Sequence, residues 1–318
     1  MIVFSSFLIF IRIFAIPRTT IIMTDICCIG HITRDKIITP ENIVYMNGGT
    51  SFYFAHGINH LPHELSFSLI TSMAEKDRKA VDELIEEGID VTFFPSRETV
   101  YFENKYGDNR DNRTQRVLAK ADPFTVDQLK KIEARFYHLG SLLDDDFSPE
   151  LIKKLSLRGI VSVDVQGFLR KVIGDQVYPT DWEDKDEVLR HIDILKLNEQ
   201  EMVTVTGLRD PRKVALRIAS WGVKEVLLTL GSNGSLIYAE GRFYDIPAYP
   251  PTQIVDATGC GDTYSAGYLY CRALGMGYGD SGRFAAAMCT QKLSHNGPFD
   301  GTFDEVEQII SRHRRQIV

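Results

Sequence analysis

The sequence has no excess of positive charge, no cysteines at metal-ligand spacing and no low-complexity linker. Its 318 residues carry a formal net charge of −7, which argues against a nucleic-acid-binding surface and against a polybasic membrane patch. The five cysteines include no C-x-x-C pair and no cluster with histidine, so we expect reduced thiols and a cytoplasmic protein. The sequence therefore predicts a small-molecule partner, with no nucleic acid and no membrane.

Long hydrophobic runs are also missing, except at the N-terminus, where residues 2–16 are almost continuously apolar. This run stops before Pro17 and is shorter than the roughly 20 residues that span a bilayer. It lacks the basic start and the small-residue cleavage site of a signal peptide. A predicted buried strand follows Met23. We interpret residues 1–22 as a non-native or disordered extension, with a signal or anchor as the alternative.

From Asp25 onward, short apolar runs alternate with helical patterns in a chain that is 44% hydrophobic and 25% charged. This alternation predicts an α/β protein with a mostly parallel sheet that is covered by helices on both faces. A Rossmann dehydrogenase is disfavoured, because no G-x-G-x-x-G follows the first predicted strand. The predicted strands are 25–29, 66–71, 135–139, 160–164, 193–197, 225–230 and 235–239. The predicted helices are 51–60, 76–88, 149–156, 211–221, 261–274, 281–294 and 303–314.

Two segments, residues 35–47 and 91–119, interrupt this alternation. Both contain β-favouring, alternating stretches, and the second includes a polar turn at residues 107–110. We expect these strands to leave the main sheet and to form a lid over the carboxyl ends of the parallel strands, where ligands bind in open α/β sheets. Exposed strand edges on the lid suggest a homodimer.

The most informative segment is D-A-T-G-C-G-D, residues 256–262, which leads into a predicted helix of small residues. Gly259 and Gly261 allow a sharp bend that points several backbone N–H groups at one spot on a helix N-terminus, and such an arrangement binds anions. Asp262 would be unfavourable beside an anion unless it had a chemical task, such as accepting the proton of an attacking hydroxyl. For G-x-G-D in isolation, a tight turn with Asp262 as a helix N-cap is the simpler explanation.

In its wider context this segment resembles the nucleotide-side signature of the PfkB (ribokinase-like) family of carbohydrate kinases, D-x-T-G-x-G-D. Further segments resemble the same family in the same order. Residues 48–49 match its di-glycine, residues 198–201 its N-x-x-E motif, and residues 229–234 its T-x-G-x-x-G turn. The resemblance implies a ribokinase-like three-layer α/β/α fold with a small β-sheet lid, in one kinase domain over residues 23–318.

The same resemblance implies a role for each matched residue. Asn198 and Glu201 stand on one face of a helix and would orient waters around Mg²⁺, and a monovalent cation is left open. The acceptor would be held by Asp35, Gly48, Gly49, Arg170 and Asp262. The catalytic residues would be Asp262 as general base and the backbone of Gly259, Cys260 and Gly261 as the anion hole. ATP would be bound by Asn198, Thr229, Gly231, Gly234, Thr258, Gly259 and Gly261.

Three features bear on the acceptor. Tyr53 stands where the family often has an asparagine, and the loss of a carboxamide puts a ribose-like or fructose-like pose in doubt. Residues 164–170, 113–115 and 121–123 resemble the corresponding segments of inositol kinases in the family. Within these segments, Arg170 would pair with a phosphate oxygen or a carboxylate in the cleft, or form a surface salt bridge.

The predicted activity is therefore ATP-dependent phosphorylation of a hydroxyl group on a sugar, polyol or cyclitol. A nucleoside kinase of the same fold is the alternative. It would need a stacking surface for a base, for which Phe93, Phe94, Tyr101 or Phe102 could serve unless they form the core of the lid. A catalytically silent ligand-binding protein is a further alternative, disfavoured because the base and the anion hole are both present.

Overall fold

A large, mostly parallel sheet forms the centre of the protein in this computed structural model, which describes residues 23–107 and 113–317. The predicted extension, residues 1–22, lies outside the described residues, as does most of the polar turn that was predicted at residues 107–110. In the described part of the chain, no helix is both long enough and apolar enough to cross a membrane. All five cysteines lie in that part, and each is free.

The described residues alternate between strands and helices. The strands are β1 (Thr24–Gly30), β2 (Thr33–Ile38), β3 (Ile43–Gly48), β4 (Phe67–Ala74), β5 (Asp90–Ser96), β6 (Val100–Tyr106), β7 (Arg113–Ala119), β8 (Ala134–Gly140), β9 (Ile160–Asp164), β10 (Arg170–Ile173), β11 (Gln176–Pro179), β12 (Ile194–Asn198), β13 (Glu225–Thr229), β14 (Ser235–Ala239) and β15 (Arg242–Ile246). The helices are α1 (Thr50–Asn59), α2 (Lys79–Glu86), α3 (Val126–Leu129), α4 (Pro149–Ser156), α5 (Lys185–Val188), α6 (Glu199–Thr206), α7 (Pro211–Ser220), α8 (Cys260–Ala273), α9 (Tyr278–Lys292) and α10 (Phe303–Ile317).

The large sheet has the strand order β15-β14-β13-β12-β9-β8-β1-β4-β5, and its strands are parallel except for the antiparallel β13-β14-β15 edge. Successive residues of a strand point to opposite faces. Accordingly, Ile26 and Cys28 of β1 pack in one hydrophobic cluster, and Cys27 and Ile29 pack in the other. Helices α1, α8 and α9 contribute to the first cluster, and α4, α6 and α7 to the second. Burial on both faces produces the predicted α/β/α layers.

A second, smaller sheet has the order β10-β11-β7-β6-β2-β3 and is built from three hairpins. It has a hydrophobic core of its own, in which Val100, Phe102 and Val117 pack against Leu142 and Leu143. The prediction of a small accessory sheet is confirmed. Its third hairpin, β10-β11, was not predicted.

The boundary predicted for the second lid segment is wrong at its start. Residues 91–96 belong to β5, which pairs in parallel with β4 at the edge of the large sheet. The side chains of Val91 and Phe93 pack on one core cluster and that of Phe94 on the other. A strand whose half-buried side chains pack on both faces of the large sheet belongs to the central layer, so the small sheet begins again only at Val100.

Candidate active site

Two helix N-termini meet at Asp262. Helix α8 begins directly after Gly259, whose φ of 78° lies in the left-handed region that favours glycine. Helix α1 begins directly after Gly49, whose φ is 95°. Asp262, in the first turn of α8, accepts a hydrogen bond from the hydroxyl of Thr50, the first residue of α1. The unpaired N–H groups of two helix starts therefore lie on either side of one carboxylate.

The loop that precedes α8, residues 256–259, is the predicted anion loop. It is held in place by Lys292, the last residue of α9. The Lys292 side chain is fully buried, and its ammonium donates to the backbone carbonyl of Asp256 (2.8 Å) and to Asp256 Oδ2 (3.1 Å). The N–H of Thr258 donates to Asp256 Oδ1 over 2.8 Å. Burial raises the pKa of Asp256, but the hydrogen bonds from Thr258 and Lys292 outweigh burial and hold it below its ordinary value. The predicted anion loop is thus held by a lysine that sequence analysis did not single out.

A second buried lysine lies under the first turn of α8. Lys196 in β12 is the register partner of Asp164 in β9, and its ammonium lies 2.5 Å from Asp164 Oδ2. A Cβ added to Gly261 would lie only 3.0 Å from this ammonium. Gly261 therefore allows a positive charge to approach the predicted anion hole from inside the protein.

The pKa of Asp262 is raised to about 8. Burial is the largest cause, and the nearby Asp164 carboxylate raises the pKa further, whereas the positive charges of Lys196 and Arg170 lower it. A carboxyl group with a pKa near 8 exchanges a proton readily close to neutral pH, as a general base requires.

Arg170 lies close enough to Asp262 and Glu201 to act on both, and its contact with a substrate stays a prediction. It is the first residue of β10, and its positive charge lowers the pKa values of both Asp262 and Glu201. Glu201 itself has a raised pKa, first because of burial and then because of Asp164. The cleft thus brings three carboxylates together with two cations, Lys196 and Arg170.

The predicted magnesium pair has a structural task as well. The Oδ1 atom of Asn198 accepts hydrogen bonds from the N–H groups of Gln200 and Glu201, and Glu201 Oε2 accepts from the N–H of Asn198 (2.8 Å). This capping box starts α6 and occupies the Asn198 side-chain oxygen. No group of three or more histidine, cysteine or acidic side chains in the described residues is placed to hold a metal directly. The Asp164 carboxylate is buried and paired with Lys196, so Glu201 is the carboxylate of the pair that could contact the waters of a magnesium ion.

The turn after β13 supports only part of the predicted nucleotide contact. The Thr229 hydroxyl donates to the carbonyl of Leu197 in the adjacent strand (3.3 Å). A Cβ at Gly231 would meet nothing nearer than Glu199 Oε2, at 3.9 Å, whereas a Cβ at Gly234 would overlap the Ile246 carbonyl. Gly231 therefore borders open space, but the missing side chain of Gly234 makes room for the protein's own chain rather than for a ligand.

The acceptor-side glycines likewise make room for protein atoms where a Cβ would stand, and their contact with acceptor hydroxyls stays a prediction. A Cβ at Gly48 would lie 2.6 Å from Asp35 Oδ2, and one at Gly49 would lie 2.6 Å from the His31 carbonyl oxygen. Asp35 Oδ1 accepts a hydrogen bond from the Thr33 hydroxyl over 2.7 Å. The di-glycine thus lets β3 turn into α1 close against Asp35.

Tyr53, one turn into α1, lies between the two halves of the site. It is 3% exposed, and a Cβ at Gly259 would overlap its ring, so the ring packs directly on the anion loop. Its buried hydroxyl has no hydrogen-bond partner. Burial and the nearby carboxylates of Asp256, Asp35 and Asp262 raise the pKa of Tyr53, which stays protonated near neutral pH.

The aromatic residues named for a nucleoside kinase are covered by other side chains. Phe93 packs in the core and under the guanidinium of Arg78, and Phe94 packs in the opposite cluster. Phe102 belongs to the core of the small sheet. The ring of Tyr101 lies 5.3 Å from the guanidinium carbon of Arg34. The three phenylalanines therefore serve packing, whereas Tyr101 is half-buried beside Arg34.

Comparison with known proteins identifies a consistent set of relatives. The sequence pattern described as "pfkB family carbohydrate kinase" matches residues 23–301. The chain is 26% identical over 259 residues to a cytidine kinase of Thermococcus kodakarensis, a match that covers 78% of this chain and 88% of that protein. It also resembles a pyrophosphate-dependent kinase of the ribokinase family, solved with a pyrophosphate analogue and myo-inositol, with 28% identity, a TM-score of 0.78 and coverage of 89% and 99% of the two chains. Arabidopsis thaliana ribokinase, at 18% identity and a TM-score of 0.72 over 91% of this chain and 99% of its own, shares the fold.

Proposed function

Because the chain belongs to the pfkB family of carbohydrate kinases, and is a phosphotransferase with an alcohol group as acceptor, we propose that it phosphorylates a hydroxyl group of an uncharged sugar, polyol or cyclitol, with ATP as donor. The observation that carries this proposal is the position of Asp262. This carboxyl group, with its pKa near 8, lies between an anion-binding loop and the acceptor-side residue Asp35.

Each step of the transfer has a residue suited to it. Asp262 would take the proton of the acceptor hydroxyl as its oxygen attacks the terminal phosphorus of the donor. The backbone N–H groups of Gly259 and Gly261 would receive the transferred phosphoryl group, with Lys196 and Arg170 supplying positive charge. The N–H of Thr258 is engaged with Asp256, and that of Cys260 with the Ala257 carbonyl (3.2 Å). Glu201 would hold a magnesium ion through the waters of the ion, and such an ion would supply positive charge beside the donor phosphates. Closure of the small sheet would exclude water and so suppress hydrolysis of the donor.

Two observations support a cyclitol among the candidate acceptors. The chain is 27–28% identical to kinases whose structures are described as myo-inositol kinases or as complexes with myo-inositol. Carboxylates dominate the acceptor side, where Asp35 and Asp262 both contribute to raising the pKa of Tyr53. An uncharged, hydroxyl-rich acceptor suits such surroundings better than an anionic one.

The donor has a second candidate, inorganic pyrophosphate. The same solved structures are described as pyrophosphate-dependent kinases. Both donors present a terminal phosphoryl group to the anion loop, so the chemistry proposed for Asp262 is the same for either. Because the Thermococcus relative is a cytidine kinase, a nucleoside is the alternative acceptor to a cyclitol. Against this alternative, Phe93, Phe94 and Phe102 are engaged in packing and do not offer a stacking surface for a base.

The experiment that tests the proposal is a matrix of two donors and four acceptors. Purified protein with Mg²⁺ receives ATP or pyrophosphate together with myo-inositol, ribose, fructose or cytidine, and phosphorylated acceptor is detected by mass spectrometry. We expect one of the three uncharged polyols to be phosphorylated. Asp262→Asn serves as the inactive control. Phosphorylation of cytidine alone would establish the nucleoside alternative, and donor binding without any product would favour a silent ligand-binding protein.

The exposed edge of the small sheet supports the proposal of a homodimer. Strand β3 is the edge strand, and its residues Ile43, Val44 and Tyr45 are 57%, 49% and 63% exposed. An exposed apolar strand edge is a template for pairing with a second chain. Light scattering on the purified protein tests this proposal, with Val44→Lys as the variant expected to be monomeric.

A further inference from the structure

Tyr53 combines burial with an unused hydrogen-bonding group, and no step of the reaction above assigns it a task. We propose that the Tyr53 hydroxyl donates a hydrogen bond to an oxygen of the bound acceptor and so determines which hydroxyl-bearing acceptors the enzyme takes. This inference rests on the proposed function, because it concerns the acceptor of the same reaction.

The orientation of α1 supports this assignment. Thr50 and Tyr53 stand three residues apart, so they lie on the same face of the helix. The Thr50 hydroxyl donates a hydrogen bond to Asp262, so this face of α1 points toward the reacting carboxylate. Tyr53 lies close enough to Asp35, Asp256 and Asp262 for all three to raise its pKa. The phenol therefore lies where the acceptor side meets the anion loop.

The hydrogen-bonding state of the phenol points to a ligand. A buried polar group without a partner destabilises a folded protein, so such a group calls for an explanation, of which a ligand that completes its hydrogen bonding is one. The Tyr53 hydroxyl has no partner, although the side chain is only 3% exposed. Because the surrounding carboxylates keep the phenol protonated, it offers a donor rather than an anion, and an acceptor hydroxyl oxygen accepts from it.

The ring of Tyr53 has a separate role from its hydroxyl. The ring packs on Gly259 and so supports the anion loop, and Tyr53→Phe keeps this contact. The phenylalanine variant therefore removes only the proposed hydrogen bond to the acceptor. A matched control is Tyr270→Phe, because the Tyr270 ring is also buried, whereas its hydroxyl donates to the Pro62 carbonyl over 3.0 Å.

The test compares the kinetics and the thermal unfolding of the two variants. We expect Tyr53→Phe to raise the KM for the acceptor roughly 3- to 10-fold, the loss that one neutral hydrogen bond implies, with little change in the KM for the donor. Its unfolding temperature should equal or exceed that of the wild type, because an unpaired polar group has been removed. Tyr270→Phe should show the opposite pattern, with a lower unfolding temperature and an unchanged acceptor KM.

A series of monodeoxy acceptors identifies the hydroxyl that Tyr53 contacts. For one of these analogues, the wild type and Tyr53→Phe should have the same KM, because the partner of the phenol is already missing. An unchanged KM in Tyr53→Phe for every acceptor that the wild type phosphorylates overturns the inference. If the wild type phosphorylates nothing, the proposed function fails instead. In that case the affinities of the wild type and of Tyr53→Phe for myo-inositol and ribose are compared by calorimetric titration. Equal affinities in the two proteins, or no binding of myo-inositol or ribose, overturn the role of Tyr53.

Discussion

The ammonium of Lys196 lies 2.5 Å from Oδ2 of Asp164, and this buried pair lies beneath the first turn of α8. Its two members act on Asp262 in opposite directions, because Asp164 raises the pKa of Asp262 and Lys196 lowers it. Burial is the largest cause of the raised pKa of Asp262, so we expect the pair to adjust the pH at which Asp262 becomes able to accept a proton.

Replacing Lys196 by methionine should move the pH dependence of the reaction upward. In the wild type we expect kcat/KM to rise with pH through about 8, because Asp262 must lose its proton before it can act as a base. Without the Lys196 charge, the protonated carboxyl is favoured and the rising limb should shift to higher pH. Profiles of kcat/KM against pH measure this shift.

The control for this experiment is Asp164→Asn combined with Lys196→Met. The double variant removes both members of the pair, so it leaves no unpaired buried charge. Its profile should lie closer to that of the wild type than the profile of Lys196→Met does. A rising limb at the same pH in the single variant and the wild type would show that Lys196 does not act on the base.

Asp262→Asn should abolish most turnover and leave donor binding intact. Asparagine has nearly the same shape and can still accept the Thr50 hydrogen bond, but it cannot take up the proton. General bases contribute roughly 10²- to 10⁴-fold, so kcat should fall by about 10²-fold or more. Steady-state kinetics and calorimetric titration of the donor measure the two effects. A nearly normal kcat would show that Asp262 is not the general base.

The same variant should change how the stability of the free enzyme depends on pH. The pKa of Asp262 is about 8 in the folded protein against an ordinary value of 3.8. Between these values the folded state holds a proton that the unfolded chain has released, so this group makes the free energy of unfolding fall as pH rises. Urea denaturation at several pH values should therefore show Asp262→Asn gaining stability over the wild type with rising pH. A constant difference between the two proteins would contradict the raised pKa.

Asp35→Ala should affect the acceptor far more than the donor. Asp35 lies beside Tyr53 and Gly48, on the side of the site opposite the anion loop. We expect the KM for the acceptor to rise strongly, with the KM for the donor nearly unchanged. Asp145→Ala, which removes an exposed carboxylate paired with Lys120, is the control. Equal increases in the KM values for acceptor and donor would show that Asp35 does not belong to the acceptor side of the cleft.

Lys292→Met should loosen the anion loop without removing any group that contacts the substrate. The variant deletes two hydrogen bonds to Asp256 and leaves that carboxylate without its buried cation. Hydrogen bonds to charged groups contribute about 1.5–3 kcal/mol, so the KM for the donor should rise at least about 10-fold. Lys224→Met removes an exposed lysine that is 75% accessible and pairs with Asp193, and it should leave the KM for the donor unchanged.

The sequence predicted the parts of the site that are continuous in the chain. The glycines and Asp262 lie within seven residues, D-A-T-G-C-G-D, so local spacing was enough to place them at one helix N-terminus. Lys196 and Lys292 were missed because their partners, Asp164 and Asp256, are 32 and 36 residues away. A weak signal was present for Lys196 alone, since it interrupts the otherwise apolar stretch I-L-K-L at residues 194–197. The β5 edge strand was misassigned because its alternating pattern also suits a lid.

The three hairpins of the small sheet have a consequence for the order in which the protein folds. They come from residues 33–48, 100–119 and 170–179, so the sheet closes loops of 51 and 50 residues between successive hairpins. Such distant contacts form only after chain entropy has been lost elsewhere. The parallel strands of the large sheet must therefore align first, because they bring the hairpins together. We expect native-state hydrogen exchange to find the hairpin amides opening before those of the central strands, so the small sheet would be the last part to form and the first to open.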